Sequence, residues 1–381
     1  MPSPDSVDRS APPGVRGQRL VFLDIVRAYA CFMMVFGHTF NELVNASIRA
    51  SDAFRYWQHL RGLTAPTFLF VSGFAFYIAT TRYWDHYLAW TPRLRKRLVR
   101  VFWLLVIGYG LHFPFKNPFH IFGATLTPGQ WSSFMGVDIL QCVAINLLLL
   151  HGLILLLGTQ RRFIVYLAIA MPAVFLLSPW VWRLNGLAET PRLWNFYLGG
   201  NFNSFFPLVP WIGFHYAGIL GGYLYRNYLA KVPNWPKWYL LASLALGVAG
   251  SGLYVFYVSF PASLKFNTLQ AQSLPWRLGM VLFIFSFISL LCQRVKSVPR
   301  FITIIGSETL TVYWLHLVII FGSAWNLGLV LHYRQSLNVW QALAVFFPMF
   351  ALLAVIVILK VRLLEWWAHR RQRGRPETAG S

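Results

Sequence analysis

Apolar runs too long for a soluble core recur along this chain. The clearest are INLLLLHGLILLLG (145–158), MVLFIFSFISLLC (280–292) and ALAVFFPMFALLAVIVIL (342–359). A bilayer core takes about 20 apolar residues per helix. In lipid an open-ended segment must also satisfy its own backbone, which only a helix does. The composition agrees: of 381 residues 57% are hydrophobic and 12% charged, where a soluble domain is about a quarter charged. The expected fold class is therefore all-α, a polytopic membrane helix bundle. About ten transmembrane helices are expected, at 20–42, 60–80, 98–114, 137–157, 162–178, 206–225, 238–258, 276–292, 303–329 and 339–361.

A net charge of +22 would suit a nucleic-acid partner if it were gathered on one face. Instead it alternates with the spans. Of the 33 Lys and Arg, 23 fall on one side of the ten spans and 9 on the other, and only Arg27 is expected well inside a span. Lys and Arg accumulate on the cytoplasmic side. Both termini are therefore expected in the cytoplasm, with membrane lipid rather than nucleic acid as the partner of this charge. Residues 1–19 are polar and Pro-rich and read as a disordered cytoplasmic tail with no cleaved signal. Residues 20–363 form the integral-membrane domain, and 364–381 a basic disordered cytoplasmic tail. Cys31, Cys142 and Cys292 all fall in apolar spans, an odd set that suits neither a disulfide framework nor a metal site. No metal is expected.

The first span, DIVRAYACFMMVFGHTF (24–40), carries an acid, a base and an imidazole. At about 100° per residue, Asp24, Arg27, Cys31, His38 and Asn41 fall along one stripe, with His38 about 16 Å beyond Arg27. Ionisable groups inside a membrane face the bundle interior or a wet cavity. Asp24 and Arg27 can form an anchoring pair. His38 can pack by a hydrogen bond, or it can act as base or nucleophile, because imidazole titrates near neutral pH.

Several stretches resemble the membrane acyltransferase-3 superfamily. They are the Arg27-to-His38 spacing on the first helix, TAPTFLFVSGF (64–74) with Ser72 near its end, RLRKRLVR (93–100), and SETLTVYWLHL (307–317) with its late His316. FMGVDILQCVAIN (134–146) and FFPLVPWIGFHYAGILGG (205–222) are most like the heparan-alpha-glucosaminide N-acetyltransferase catalytic-domain branch. The resemblance spans residues 20–330. It departs at Ala28, where the family usually has Gly.

The resemblance implies an acyl-CoA-dependent acyltransferase that moves an acyl group, acetyl by expectation, to an amine or hydroxyl of a sugar or cell-envelope glycan. Acetyl-CoA would be the donor, and the protein would sit in the bacterial cytoplasmic (inner) membrane. Phosphates of CoA need cations, and Arg93, Arg97 and Arg100 are the candidates, since guanidinium binds phosphate through paired hydrogen bonds. The same cluster also serves as a positive-inside signal. His38 would be the general base or would itself accept the acyl group. Ser72, Tyr313 or Asn41 could stabilise the oxyanion, although the Ser72-Gly73 pair also suits close helix packing. His316 is a candidate second proton carrier and Arg27 a further site residue. Glu308 reads as a helix cap or dipole partner or as a further functional group, Asp138 as a helix cap, and His112, His120, His151 and His215 as packing or interfacial groups. The competing reading is a transporter or flippase of a glycan or lipid, using the polar stripe as a path. The chain shows no internal repeat of the kind common in transporters.

Overall fold

The computed structural model describes residues 20–113, 126–186, 192–200, 202–258, 269–295, 297–323 and 326–373. The expected tail 1–19, the far tail 374–381, Lys116 and His120 lie outside the described residues. Among the described residues eleven helices make the bundle: α1 (Val21–Leu43), α2 (Thr64–Thr81), α3 (Pro92–Leu111), α4 (Ile139–Leu157), α5 (Gln160–Gly186), α6 (Leu208–Leu224), α7 (Pro236–Val258), α8 (Leu269–Arg294), α9 (Arg300–Ser307), α10 (Thr309–Phe321) and α11 (Val339–Arg373). Among the described residues there is no β-strand, only two isolated bridges.

A helix lies at each of the ten expected positions, but the ninth is broken. Its two halves, α9 and α10, meet at 77°. Among the described residues six helices are long and apolar enough to cross a membrane, or seven if the bent pair is one span. α3 carries its basic cluster in its first turns, and α6 is only 17 residues long. Outward faces are apolar: Leu156 is 79% exposed and Val248 75%. Such faces suit lipid, and with the apolar helices they make this an integral membrane protein.

Local chemistry sets the helix ends that matter for the site. Thr91 accepts from the Leu94 amide at 3.3 Å and Pro92 opens the first turn of α3. Asp138 caps α4, which ends at Gly158 with φ of 70°. α11 continues to Arg373, beyond the expected start of the tail at 364. There Arg300 pairs with Glu365 at 2.6 Å, and Arg370 lies over the Trp366 ring at 5.1 Å.

The helices touch through small residues, as membrane helices must when no hydrophobic force separates lipid from protein. A Cβ at Gly218 on α6 would lie 1.9 Å from the Phe70 carbonyl oxygen on α2. One at Gly73 would lie 2.0 Å from the His215 carbonyl oxygen, so the two backbones are in contact at both points. A Cβ at Gly306 would fall 1.9 Å from the Asp24 carbonyl oxygen, which holds the end of α9 on the start of α1. α1 thereby runs between two apolar clusters. Leu23 and Val26 join the larger, with Phe70, Phe74 and Phe285. Cys31, Val35 and Phe40 join the smaller, with Ile304, Phe346 and Leu353.

Candidate active site

The polar stripe of α1 opens on a cavity of about 900 Å³. Arg27, Cys31, His38 and Asn41 face it from α1, Ser72 from α2, and Arg97 and Arg100 from α3. Its length can be read along α3, whose Arg97 and His112 both line the wall. Fifteen residues of helix separate them by about 22 Å. The cavity therefore has a guanidinium end, at the start of α3, and an imidazole end, where α1 finishes.

At the guanidinium end Arg97 is held by groups without charge. Its Nη1 donates to Thr80 Oγ1 at 2.9 Å and lies 3.3 Å from His151 Nε2. His151 Nδ1 faces the Leu147 carbonyl at 2.5 Å. That nitrogen must carry the proton, leaving Nε2 free to accept from Arg97. The guanidinium also lies over the Tyr87 ring at 4.1 Å and the Phe76 ring at 4.9 Å. His151 was expected only to pack; it orients Arg97. Arg100, one turn on, shares the cavity wall. Arg93 does not line the cavity. It is exposed, with its guanidinium stacked 3.6 Å over Tyr83.

Between the two ends lie Arg27 and Ser72. Arg27 Nη1 is 3.5 Å from Asp24 Oδ1, the anchoring pair that the i,i+3 spacing predicts. Gly73 takes the close helix contact, and its neighbour Ser72 turns to the cavity, so packing and cavity lining fall on adjacent residues.

At the imidazole end His38 and His316 stand with ring centroids 5.3 Å apart. His316 is fully buried behind the cavity wall rather than on it. Its Nδ1 donates to the Val312 carbonyl at 2.9 Å, and its Nε2 has no partner among the described residues. The aliphatic stem of Arg61 crosses α1 at Gly37, where a Cβ would meet Arg61 Cγ at 2.9 Å. Arg61 Nε donates to Gln58 at 2.9 Å, Gln58 donates to Asn41 Oδ1 at 2.7 Å, and Asn41 donates to Glu42 at 2.6 Å. Asp138 completes this end. Oδ1 accepts from the Ile139 amide at 2.7 Å, and Oδ2 accepts the Tyr313 hydroxyl at 2.8 Å. Glu308 stays out of the cavity, paired with Lys360 at 2.6 Å.

Arg61 and Arg277 fall at the edges of the expected spans 60–80 and 276–292. Both line the cavity, and Arg277 lies within α8. The signal for Arg277 was in the sequence: a lone Arg flanked by LPW and LGMVLF. Among the described residues no set of three or more His, Cys, Asp or Glu side chains is close enough to hold a metal ion.

The sequence pattern of the family described as heparan-alpha-glucosaminide N-acetyltransferase, catalytic, matches residues 19–261. The chain belongs to that family. Among proteins of curated function, no sequence match was found. Membership makes this chain one of a family of membrane acetyltransferases. The match includes the helices that bear Arg27, His38, Ser72, Arg97, Arg100 and Asp138. Three further groups, Arg277, Tyr313 and His316, come from helices beyond it. For an acetyltransferase the arrangement has clear uses. A guanidinium pair can hold an anionic carrier, an imidazole can take a proton, and apolar walls between them exclude water from the transfer.

Proposed function

We propose that this chain transfers an acetyl group from acetyl-CoA, bound from the cytoplasmic side, to the amine or hydroxyl of a sugar that enters from the other side. The observation that supports this reading is that Arg97, Arg100 and His38 line opposite ends of one cavity. Arg97 and Arg100 hold the phosphates of CoA through charge-assisted hydrogen bonds. The pantetheine arm runs along α1 past Arg27, which offers N–H donors to its amide carbonyls, and presents the thioester near His38. Arg93 belongs to the rim and not to the clamp.

The acceptor amine or hydroxyl attacks the thioester carbonyl, a C–N or C–O bond forms, and the C–S bond breaks as CoA thiolate leaves. His38 takes the proton from the nucleophile as general base, or carries the acetyl group itself before passing it on. His316, with an unpartnered Nε2 behind His38, is the second proton carrier. Ser72 is the donor best placed for the oxyanion, because it makes no hydrogen bond within the described residues and faces the cavity. Tyr313 is not, since its proton goes to Asp138.

The family takes its name from an N-acetylated glucosaminide, and a glucosamine is the acceptor to try first. The purified protein in lipid nanodiscs is given radiolabelled acetyl-CoA and glucosamine. Wild type is expected to form labelled N-acetylglucosamine. His38→Ala is expected to lose about 10²–10⁴-fold in turnover, the usual worth of acid–base catalysis, with its melting temperature unchanged. Label trapped on His38 identifies the covalent route. A well-folded His38→Ala protein with near-normal turnover would refute the assignment.

A further inference from the structure

Asp138 does more at the imidazole end than its role as a helix cap requires. A cap needs one side-chain oxygen, and Oδ1 supplies it to the Ile139 amide at 2.7 Å. The second oxygen turns toward the cavity and takes the Tyr313 hydroxyl proton at 2.8 Å, across 175 residues of sequence. His112 Nε2, from the end of α3, lies 3.8 Å from the same oxygen. Three separate elements thus converge on one carboxylate, and all three side chains line the cavity that holds His38.

The direction of the Tyr313 bond decides what this group can do. A phenol has one proton, and an ionised carboxylate can only accept. Tyr313 therefore gives its proton to Asp138 and turns only lone pairs to the cavity. Lone pairs repel a developing oxyanion, so Tyr313 cannot serve the thioester carbonyl. They suit an N–H or O–H of the attacking group. The Tyr313 ring lies 5.7 Å from the His316 ring, which is itself 5.3 Å from His38. The charged groups that act on His38 here are Asp138, Glu42 and Arg61.

We infer that Tyr313 binds the nucleophile of the acceptor through its oxygen lone pair, and that Asp138 is the positioning residue that fixes this polarity. This inference rests on the acetyl-transfer reading above. One N–H of the sugar amine is held by Tyr313, which turns the nitrogen lone pair to the thioester and leaves the second, departing proton to His38. The site thereby selects acceptors whose nucleophile carries a hydrogen to spare. A primary amine has two hydrogens, one for each residue, whereas a hydroxyl or an N-alkylated amine has only one.

The test is steady-state kinetics of the full chain in nanodiscs, with acetyl-CoA and glucosamine. Asp138→Asn keeps a side-chain cap, since Asn caps as well as Asp, but it can turn an NH₂ toward Tyr313 and release the phenol proton into the cavity. Tyr313→Phe removes the oxygen. Both are expected to lower kcat/KM for glucosamine at least ten-fold, leave the KM for acetyl-CoA within two-fold, and keep the wild-type melting temperature. Asp138→Glu, which restores the carboxylate, is expected to recover part of the loss. A purely structural carboxylate would instead lower both substrates' kinetics and the melting temperature together, and that pattern overturns the inference. So does wild-type kinetics in Tyr313→Phe. If wild type itself transfers nothing to glucosamine, the functional reading fails first, and this inference falls with it.

Discussion

The His316 ring stands 5.3 Å from the His38 ring, with Nδ1 tied to the Val312 carbonyl and Nε2 without a donor among the described residues. A buried, unpartnered nitrogen costs stability, as any unsatisfied polar group does. It is tolerable where it serves the chemistry next to it. Replacing it tests which matters more. His316→Leu is expected to melt within a few degrees of wild type, or slightly higher, because an unsatisfied nitrogen is removed. Its turnover is expected to fall about 10²-fold, the lower end of acid–base effects. Thermal melts and turnover on the same preparation check this. Unchanged turnover would leave His316 a packing residue.

The two faces of the basic cluster on α3 are expected to separate in kinetics. Arg97→Gln and Arg100→Gln should each raise the KM for acetyl-CoA about ten-fold, which is about 1.4 kcal/mol of binding. Arg93→Gln should stay within two-fold, since Arg93 lies on Tyr83 outside the cavity. Arg97→Lys should behave like Arg97→Gln, because an ammonium cannot reproduce the planar contacts with Thr80, His151 and Tyr87. An equal effect from all three positions would point to general surface charge instead of a clamp.

Gly218 and Gly152 are expected to differ in stability. At Gly218 a methyl group would sit 1.9 Å from the Phe70 carbonyl oxygen, so Gly218→Ala must push α2 and α6 apart. Overpacking of this kind costs about 1–3 kcal/mol or more. Little monodisperse protein should be recovered by size-exclusion chromatography. Gly152 on α4 has open space around its Cβ position. Gly152→Ala should gain about 0.5–1 kcal/mol from helix propensity, read as a higher melting temperature.

The charge bias carries a topological expectation that intact cells can check. A cysteine at Ser47, in the exposed stretch after α1, should react with a membrane-impermeant maleimide added from outside. A cysteine at Lys96, exposed near the start of α3, should react only after the cells are opened. Labelling of the Lys96 probe in intact cells would invert the bundle and put the donor on the wrong side.

Much of the bundle was legible in the sequence because helical order is local. Apolar runs near 20 residues specify helices in lipid, and the 3.6-residue period places Asp24, Arg27, Cys31, His38 and Asn41 on one face of α1. Four of these five line the cavity, and Asp24 is instead buried where α9 meets α1. The broken ninth helix was not legible. It breaks at Glu308, two residues past the point where Gly306 meets the backbone of Asp24, a contact between chain segments far apart.

The sequence by itself determined that this is a membrane helix bundle with a polar stripe on its first helix and basic residues at the start of the third. Tertiary structure alone decided which of those groups work together. The cluster at 93–100 offers five cations, yet only Arg97 and Arg100 face the cavity, because the packing of α3 on α4 fixes its rotation. Ser72 and Gly73 are adjacent, yet the crossing with α6 gives one to the cavity and the other to the helix contact. Asp138 reads as a cap from its neighbours, and its partner Tyr313 lies 175 residues away. Periodicity fixes the angle of a side chain about its own helix axis. The rotation and depth of that helix against the others come from non-local contacts, and those set which side chains meet in the site.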